Sequence, residues 1–192
     1  MAGLRVLGID PGLTRCGVGI VDVASDRSVT LVEVVVIRTP PALALEQRLL
    51  RVGDEIETLL DRHAPQAVAI ERVFAQQNLR TVMGVAQISG IALHLAAKRG
   101  LPVGLHTPSE VKAAVTGYGS AGKKQVATMV ARVLGLTELP KPADASDALA
   151  IAICHGWRSP VPPPAQGRLT PAQEAWLAAE RSAARPVVKR RL

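Results

Sequence analysis

Four acidic side chains stand where an apolar core does not welcome charge. Asp10 ends the run Val6-Leu7-Gly8-Ile9 and precedes Pro11-Gly12, Glu71 ends Ala67-Val68-Ala69-Ile70, and Asp144 and Asp147 open the otherwise apolar stretch 144–153. Burying an unpaired carboxylate costs on the order of several kcal/mol. Clustered carboxylates offset that cost by holding a divalent cation. No Cys or His cluster accompanies them, so the donors are hard oxygens, which suit Mg²⁺ or Mn²⁺ over Zn²⁺. Two such cations roughly 3.5–4 Å apart clamp the attacking and leaving oxygens of a phosphodiester. The chemistry that this pattern predicts is metal-assisted phosphodiester hydrolysis.

Each acid also has a plainer reading. Asp10 suits an Asx turn. Glu71 suits a solvent-facing strand end. Asp144 and Asp147, at i and i+3, share one helix face, and there Asp144 would serve as an N-cap with Asp147 as its capping-box partner. Both would also suit the positive end of the helix dipole. The capping and ligand readings are compatible, because a helix N-terminus helps to hold anionic ligands.

The elements that must position these acids follow from periodicity. Val6–Ile9, Cys16–Val21 and Thr30–Ile37 read as three strands of a meander. Leu43 to His63 reads as a helix with Leu45, Leu49, Val52, Ile56, Leu59 and Leu60 on its apolar side, stopped by Pro65. Ala67–Glu71 is a strand. Asn78–Arg99 is a second long helix with Val82, Val85, Ile88, Ile91, Ala92 and Leu95 on one stripe. Val103–His106 is a strand, Pro108–Val115 a short helix, 117–122 a glycine loop, Lys123–Leu134 a helix and Asp144–Trp157 the last helix. Strands that first meander and then alternate with helices predict an α/β three-layer domain, with a five-stranded mixed sheet flanked by helices. Glu71 then lies beyond the carboxyl end of a parallel strand, where ligands of open sheets bind.

Composition bounds the rest. The 192 residues are 48% hydrophobic with a mean hydropathy of +0.21, enough for one sizeable core. No apolar run approaches the roughly 20 residues of a membrane span. The N-terminus carries no secretory pattern, so a cytoplasmic location is the expectation. Cys16 and Cys154 read as reduced core thiols. Net charge is +7, which invites a nucleic-acid partner. Residues 158–192 hold seven Lys/Arg and two Asp/Glu, leaving sixteen and fourteen for residues 1–157. The globular part is thus only mildly basic, and nucleic-acid binding would require its charge to be segregated. Ser159-Pro160-Val161-Pro162-Pro163-Pro164 is a stiff break. We therefore expect a domain over 1–158 and a flexible, Pro-rich basic tail over 159–192.

Taken in order, Gly8-Ile9-Asp10-Pro11-Gly12, Ile70-Glu71-Arg72-Val73-Phe74, Val111-Lys112 through Gly117-Tyr118-Gly119, Lys123-Lys124-Gln125-Val126 and Asp144-Ala145-Ser146-Asp147-Ala148-Leu149-Ala150 resemble the motifs of the RuvC crossover-junction endonucleases. The resemblance spans residues 4–157. It implies an RNase H-like fold and a homodimer that nicks two strands of a Holliday junction to leave 5′-phosphate and 3′-hydroxyl ends. It implies two Mg²⁺ per site, with Mn²⁺ as a substitute, and no ATP. Asp10, Glu71, Asp144 and Asp147 fall on the family's metal-carboxylate positions, and Lys112 and Lys123 on positions near the scissile phosphate. Partnership with the RuvA–RuvB branch-migration complex is implied in the same way. The tail lies outside the resemblance.

The residues around the acids gain chemical sense from this. Phe74, the chain's single Phe, is a candidate to stack on or wedge between unpaired bases; a plain hydrophobic plug is the alternative. Tyr118, between two glycines, is a second candidate contact. Lys123 and Lys124 start a helix against the dipole preference, which a nearby anionic backbone would explain, although surface lysines are common. Arg72, Asn78 and Arg80 are candidate phosphate contacts. His94 and His106 read as structural. Helix 78–99 carries Gly84, Ala86, Ser89 and Gly90, small residues that suit a two-fold dimer face or packing on the chain's own sheet. Three rivals remain at this level: an ATPase of the actin, Hsp70 and sugar-kinase class, which also begins with a strand and an Asp-x-Gly turn; a non-catalytic junction-binding module; and an RNA–DNA hybrid nuclease on the same fold.

Overall fold

The structure is a computed structural model and describes residues 3–72 and 79–159, all within one unit, Met1–Pro162. The expected tail therefore lies outside the described residues, apart from Ser159. Five strands form one sheet in the order β3-β2-β1-β4-β5: β1 Leu4–Asp10, β2 Arg15–Val23, β3 Val29–Arg38, β4 Ala67–Glu71 and β5 Val103–His106. The first three pair antiparallel, while β1 with β4 and β4 with β5 pair parallel. This is the mixed sheet that the meander and the later alternation predict. Among the described residues five helices flank it: α1 Leu45–His63, α2 Leu79–Lys98, α3 Pro108–Thr116, α4 Lys123–Val133 and α5 Ala143–Arg158.

Strand alternation decides which face receives what. On β1, Leu7 and Ile9 join Val18, Ile20, Val68 and Ile70 against α1 and α2. Leu4 and Val6 join Ala69 and the buried face of α5 on the opposite side, with α3 and α4. Continuing the count along β1 places Asp10 on the α5 face, and the same count along β4 places Glu71 there. Each fully buried Leu, Ile or Val contributes roughly 1.5–3 kcal/mol to this sandwich, which fixes the strand register and with it the direction of both acids.

α5 sits unusually close to the sheet. A Cβ at Gly8 would collide with the backbone of Ala148 and Ala152, one at Gly17 with the carbonyl of Asp144, and one at Gly19 with Leu149. These three glycines leave a flat seat for a buried helix rich in alanine. At its far end, the Trp157 indole Nε1 donates to the Arg27 carbonyl at 2.9 Å, tying α5 to the β2–β3 turn.

Several sequence expectations need correction. α5 starts at Ala143 with Pro142 as its N-cap residue and no side-chain cap, so Asp144 lies inside the first turn rather than at the cap. Its carboxylate instead pairs with Arg15. The capping box belongs to α3, where Thr107 and Glu110 bond reciprocally at 3.2 and 2.8 Å. Leu45, placed on the apolar side of α1, is exposed at the first residue of the helix, and α1 packs on the core from Leu49 onward. Gly84 packs on Leu13 of its own chain, whereas Ala86 and Gly90 face outward. His94 is exposed on α2, while His106 is buried and bonds His155 at 3.0 Å. Cys16 and Cys154 are buried free thiols, as expected. Among the described residues no helix is long and apolar enough to cross a membrane.

Candidate active site

The carboxyl ends of the neighbouring parallel strands β1 and β4 deliver Asp10 and Glu71 to one cavity, and the first turns of α5 deliver Asp144 and Asp147. Lys112 of α3 and Lys123 of α4 complete its polar lining, with Pro108, Val111, Val126 and Ala150 as apolar walls. Its volume is about 290 Å³. Six residues scattered over the chain, all read from the sequence as catalytic candidates, thus share one concavity.

The electrostatics are those of an under-neutralised anion cluster. Burial, followed by repulsion from Glu71, Asp147 and Asp144, pushes the Asp10 carboxyl up to about 7 against the pull of Lys123. Burial and then Asp147 raise Glu71, opposed by Lys123 and Lys112. Burial also raises Asp147, which Lys123 partly offsets from 3.7 Å. Asp144 meets the Arg15 guanidinium at 3.0 Å. Asp10 and Glu71 have no ion-pair or hydrogen-bond partner for their carboxylates among the described residues.

The donor chemistry fits a hard divalent cation: four carboxylates from three elements, with oxygen the only ligand type in the cavity and mutual repulsion that a cation would relieve. Among the described residues no three such groups already stand as an assembled ion-holding cluster. The acids line the walls rather than close on a common point, as like charges do.

The other expected contacts divide. Tyr118 is 64% exposed in the loop between α3 and α4, well placed to meet a partner. Lys124 is exposed beside Lys123 but does not line the cavity, and Arg72 is exposed just beyond β4. Phe74 and Asn78 lie outside the described residues, as does the side chain of Arg80. Sequence reading missed Arg15. Nothing in its spacing marks it, because only the β1–β2 hairpin and the seating of α5 bring it to Asp144.

The family model of "Crossover junction endodeoxyribonuclease RuvC" matches residues 6–155. The chain belongs to the RuvC family. A crossover junction endodeoxyribonuclease RuvC of Leifsonia xyli is 70% identical over 95% of this chain and 94% of its own length, and one of Clavibacter michiganensis is 64% identical over 93% and 98%. Among solved structures, RuvC of T. thermophilus in complex with a Holliday junction substrate superposes with a TM-score of 0.75 at 38% identity, covering 79% of this chain and 92% of that one. The yeast mitochondrial resolvase Ydc2, at 18% identity and a TM-score of 0.56, shares the fold. The protein is therefore an enzyme with the RNase H-like fold expected from the motifs, and the ATPase alternative is left without support.

Proposed function

We propose that the protein resolves Holliday junctions, hydrolysing one phosphodiester at each of two symmetric positions of a four-way DNA junction to leave 5′-phosphate and 3′-hydroxyl ends. The observation that carries this reading is the convergence of Asp10, Glu71, Asp144 and Asp147 on one cavity in a RuvC-family chain. A related structure at 38% identity was solved with a Holliday junction, which supports the four-way junction as substrate.

The four carboxylates would hold Mg²⁺, two per site, with Mn²⁺ as the substitute. Bound there, the cations supply charge neutralisation and Lewis acidity toward phosphoryl oxygens. Asp10 and Glu71, fixed by strand register, define the floor on which the scissile phosphate is positioned. Asp144 and Asp147 move only with α5, whose glycine seat holds them still. Lys112 and Lys123 place ammonium groups against the charge that develops on the phosphorane oxygens. The apolar walls Val111, Val126 and Ala150 limit stray water around the reacting atoms. Residues 1–158 are taken to carry this activity, with 159–192 as an appendage. A cytoplasmic location and cooperation with the RuvA–RuvB complex belong to the same proposal.

A two-fold homodimer would give a junction two equal sites. The outer face of α2 suits it: Met83 and Leu93 are exposed at 57% and 39%, and Ala86 and Gly90 lie exposed between them at helical spacing. The test is cleavage of a synthetic four-way junction in Mg²⁺, with nicks mapped on all strands. Paired nicks at symmetric positions are expected. Cutting of an RNA–DNA hybrid in preference to the junction, or binding without any cut, would replace this reading with one of its rivals.

A further inference from the structure

We infer that a cluster of arginines adjoining the catalytic cavity is a second binding site, one that takes the phosphodiester backbone of the DNA on its way into that cavity; the inference rests on the resolvase reading. Two concavities of about 530 and 430 Å³ meet at Thr14 and Arg15. The first includes Gly12, Leu13, Arg48 and Asp144, so it shares an acid with the catalytic cavity. The second adds Arg38, Thr39, Pro40 and Arg51. The arginines come from three separate elements, the start of β2, the end of β3 and the first half of α1, while Gly84 and Val85 of α2 complete the wall of the first concavity.

The charge balance there is one-sided. Arg15, Arg38, Arg48 and Arg51 line the two concavities against the single acid Asp144. Arg15 and Arg38 are direct cross-strand partners in the β2–β3 register, and like charges directly opposite each other destabilise a sheet. Several arginines elsewhere are paired with acids: Arg5 with Asp22, Arg99 with Asp61 and Glu57, Arg158 with Glu110. Arg38 and Arg51 have no ion-pair partner among the described residues. Arg48 is positioned rather than neutralised. Its guanidinium donates to Thr39 Oγ1 at 2.9 Å and to Thr14 Oγ1 at 2.8 Å, and Thr39 in turn donates to the Leu13 carbonyl.

Uncompensated guanidinium groups, one of them held by two hydroxyls, are the chemistry of phosphate recognition, because the planar fork matches two phosphate oxygens. A small metabolite phosphate would need an enclosed pocket; these are open, contiguous concavities that run to the catalytic acids. A polyanion with repeating phosphates is the ligand that fits. The lining offers guanidinium and hydroxyl groups and no aromatic side chain to stack on a base, which suits contacts to phosphate oxygens.

The test compares Arg38→Ala/Arg51→Ala with Arg62→Ala/Lys98→Ala, which removes the same charge from the far part of α1 and α2. Four-way junction binding is measured without divalent cation over a range of salt, beside cleavage by the unaltered protein. We expect the first variant to bind about ten- to a hundredfold more weakly and to lose, for each protomer engaged on the DNA, about 2 from the slope of log K against log salt, and the control to stay within twofold. Arg38→Lys/Arg51→Lys should keep the slope. An alanine variant whose slope matches the control, or a lysine variant that loses slope as alanine does, would overturn the site while leaving the resolvase reading intact, provided that the unaltered protein binds and cuts. Failure of the unaltered protein to bind the junction would overturn both.

Discussion

The two faces of the sheet treat acidic side chains in opposite ways. On the α1–α2 side three acids are answered by cations. Glu57 and Asp61 meet Arg99 at 3.0 and 2.6 Å, and Glu33 meets Arg62 at 3.6 Å. Hydrogen bonds from Arg99 and then Lys98 hold Glu57 below the usual carboxylate range. On the α5 side, Asp10, Glu71 and Asp147 are held above it by burial and by repulsion from neighbouring acids of the cavity. Pairing on an exposed surface contributes little and costs little. An unpaired, half-buried cluster opposes folding, and the sandwich around it must carry that load. The contrast separates acids that hold the protein together from acids that do its chemistry.

The sharpest way to break this contrast is Asp10→Asn. Loss of one cavity carboxylate should reduce junction cleavage at least about a thousandfold, read on a strand-mapping gel, while junction binding survives. The same change removes a repelled charge, so the metal-free variant should melt higher, by about 2–4 °C for each kcal/mol of relieved repulsion. A variant that cuts normally, or that melts lower, would place Asp10 with the structural acids.

Gly17→Ala tests the seat instead of the charge. The new methyl would meet the Asp144 carbonyl and lift the start of α5. Overpacking of this kind costs about 1–3 kcal/mol, and a displacement near 1 Å at a reacting group costs about a hundredfold in rate. Calorimetry and single-turnover cleavage should both register the change.

His155 sharpens the comparison within the α5 face, since it is titratable and half-buried but lies outside the cavity. Burial and then His106 push it down to about 4. A depressed histidine favours the neutral form in the folded state, so its contribution is complete above about pH 6.5 and is lost as pH falls toward 4. After allowance for solvent screening, this amounts to about 1–2 kcal/mol. Urea unfolding at pH 7 and pH 4.5 should show a smaller drop for His155→Asn than for the unaltered protein.

The smallest effect belongs to Asp61→Asn. One exposed partner of Arg99 is lost while Glu57 remains, so the melting point should move by about a degree or less, and cleavage should not change.

Much of this was legible in the chain itself. The strands announced themselves as β-branched runs, and Asp10 and Glu71 stood out because charge interrupts those runs at their ends. The helix spacing of Asp144 and Asp147 gave their shared face but not their partner. Capping chemistry read them as a local motif, whereas the structure starts the helix one residue earlier and gives Asp144 to Arg15. That pairing is a tertiary event, set by a hairpin register and a helix seat that no local pattern encodes. The arginine cluster was hidden for the same reason. Arg15, Arg38, Arg48 and Arg51 are unremarkable in sequence and become neighbours only when three elements meet.

The bare backbone beneath α5 has an engineering consequence. Because Gly8, Gly17 and Gly19 let the helix rest on main-chain atoms, its height is set by the small side chains it presents downward, Ala148 and Ala152 among them. Those alanines act as shims under a lever whose tip carries Asp144 and Asp147. Thickening a shim far from any phosphate would tilt the tip, so the rate of strand cutting should be adjustable from inside the hydrophobic layer without touching a single polar group.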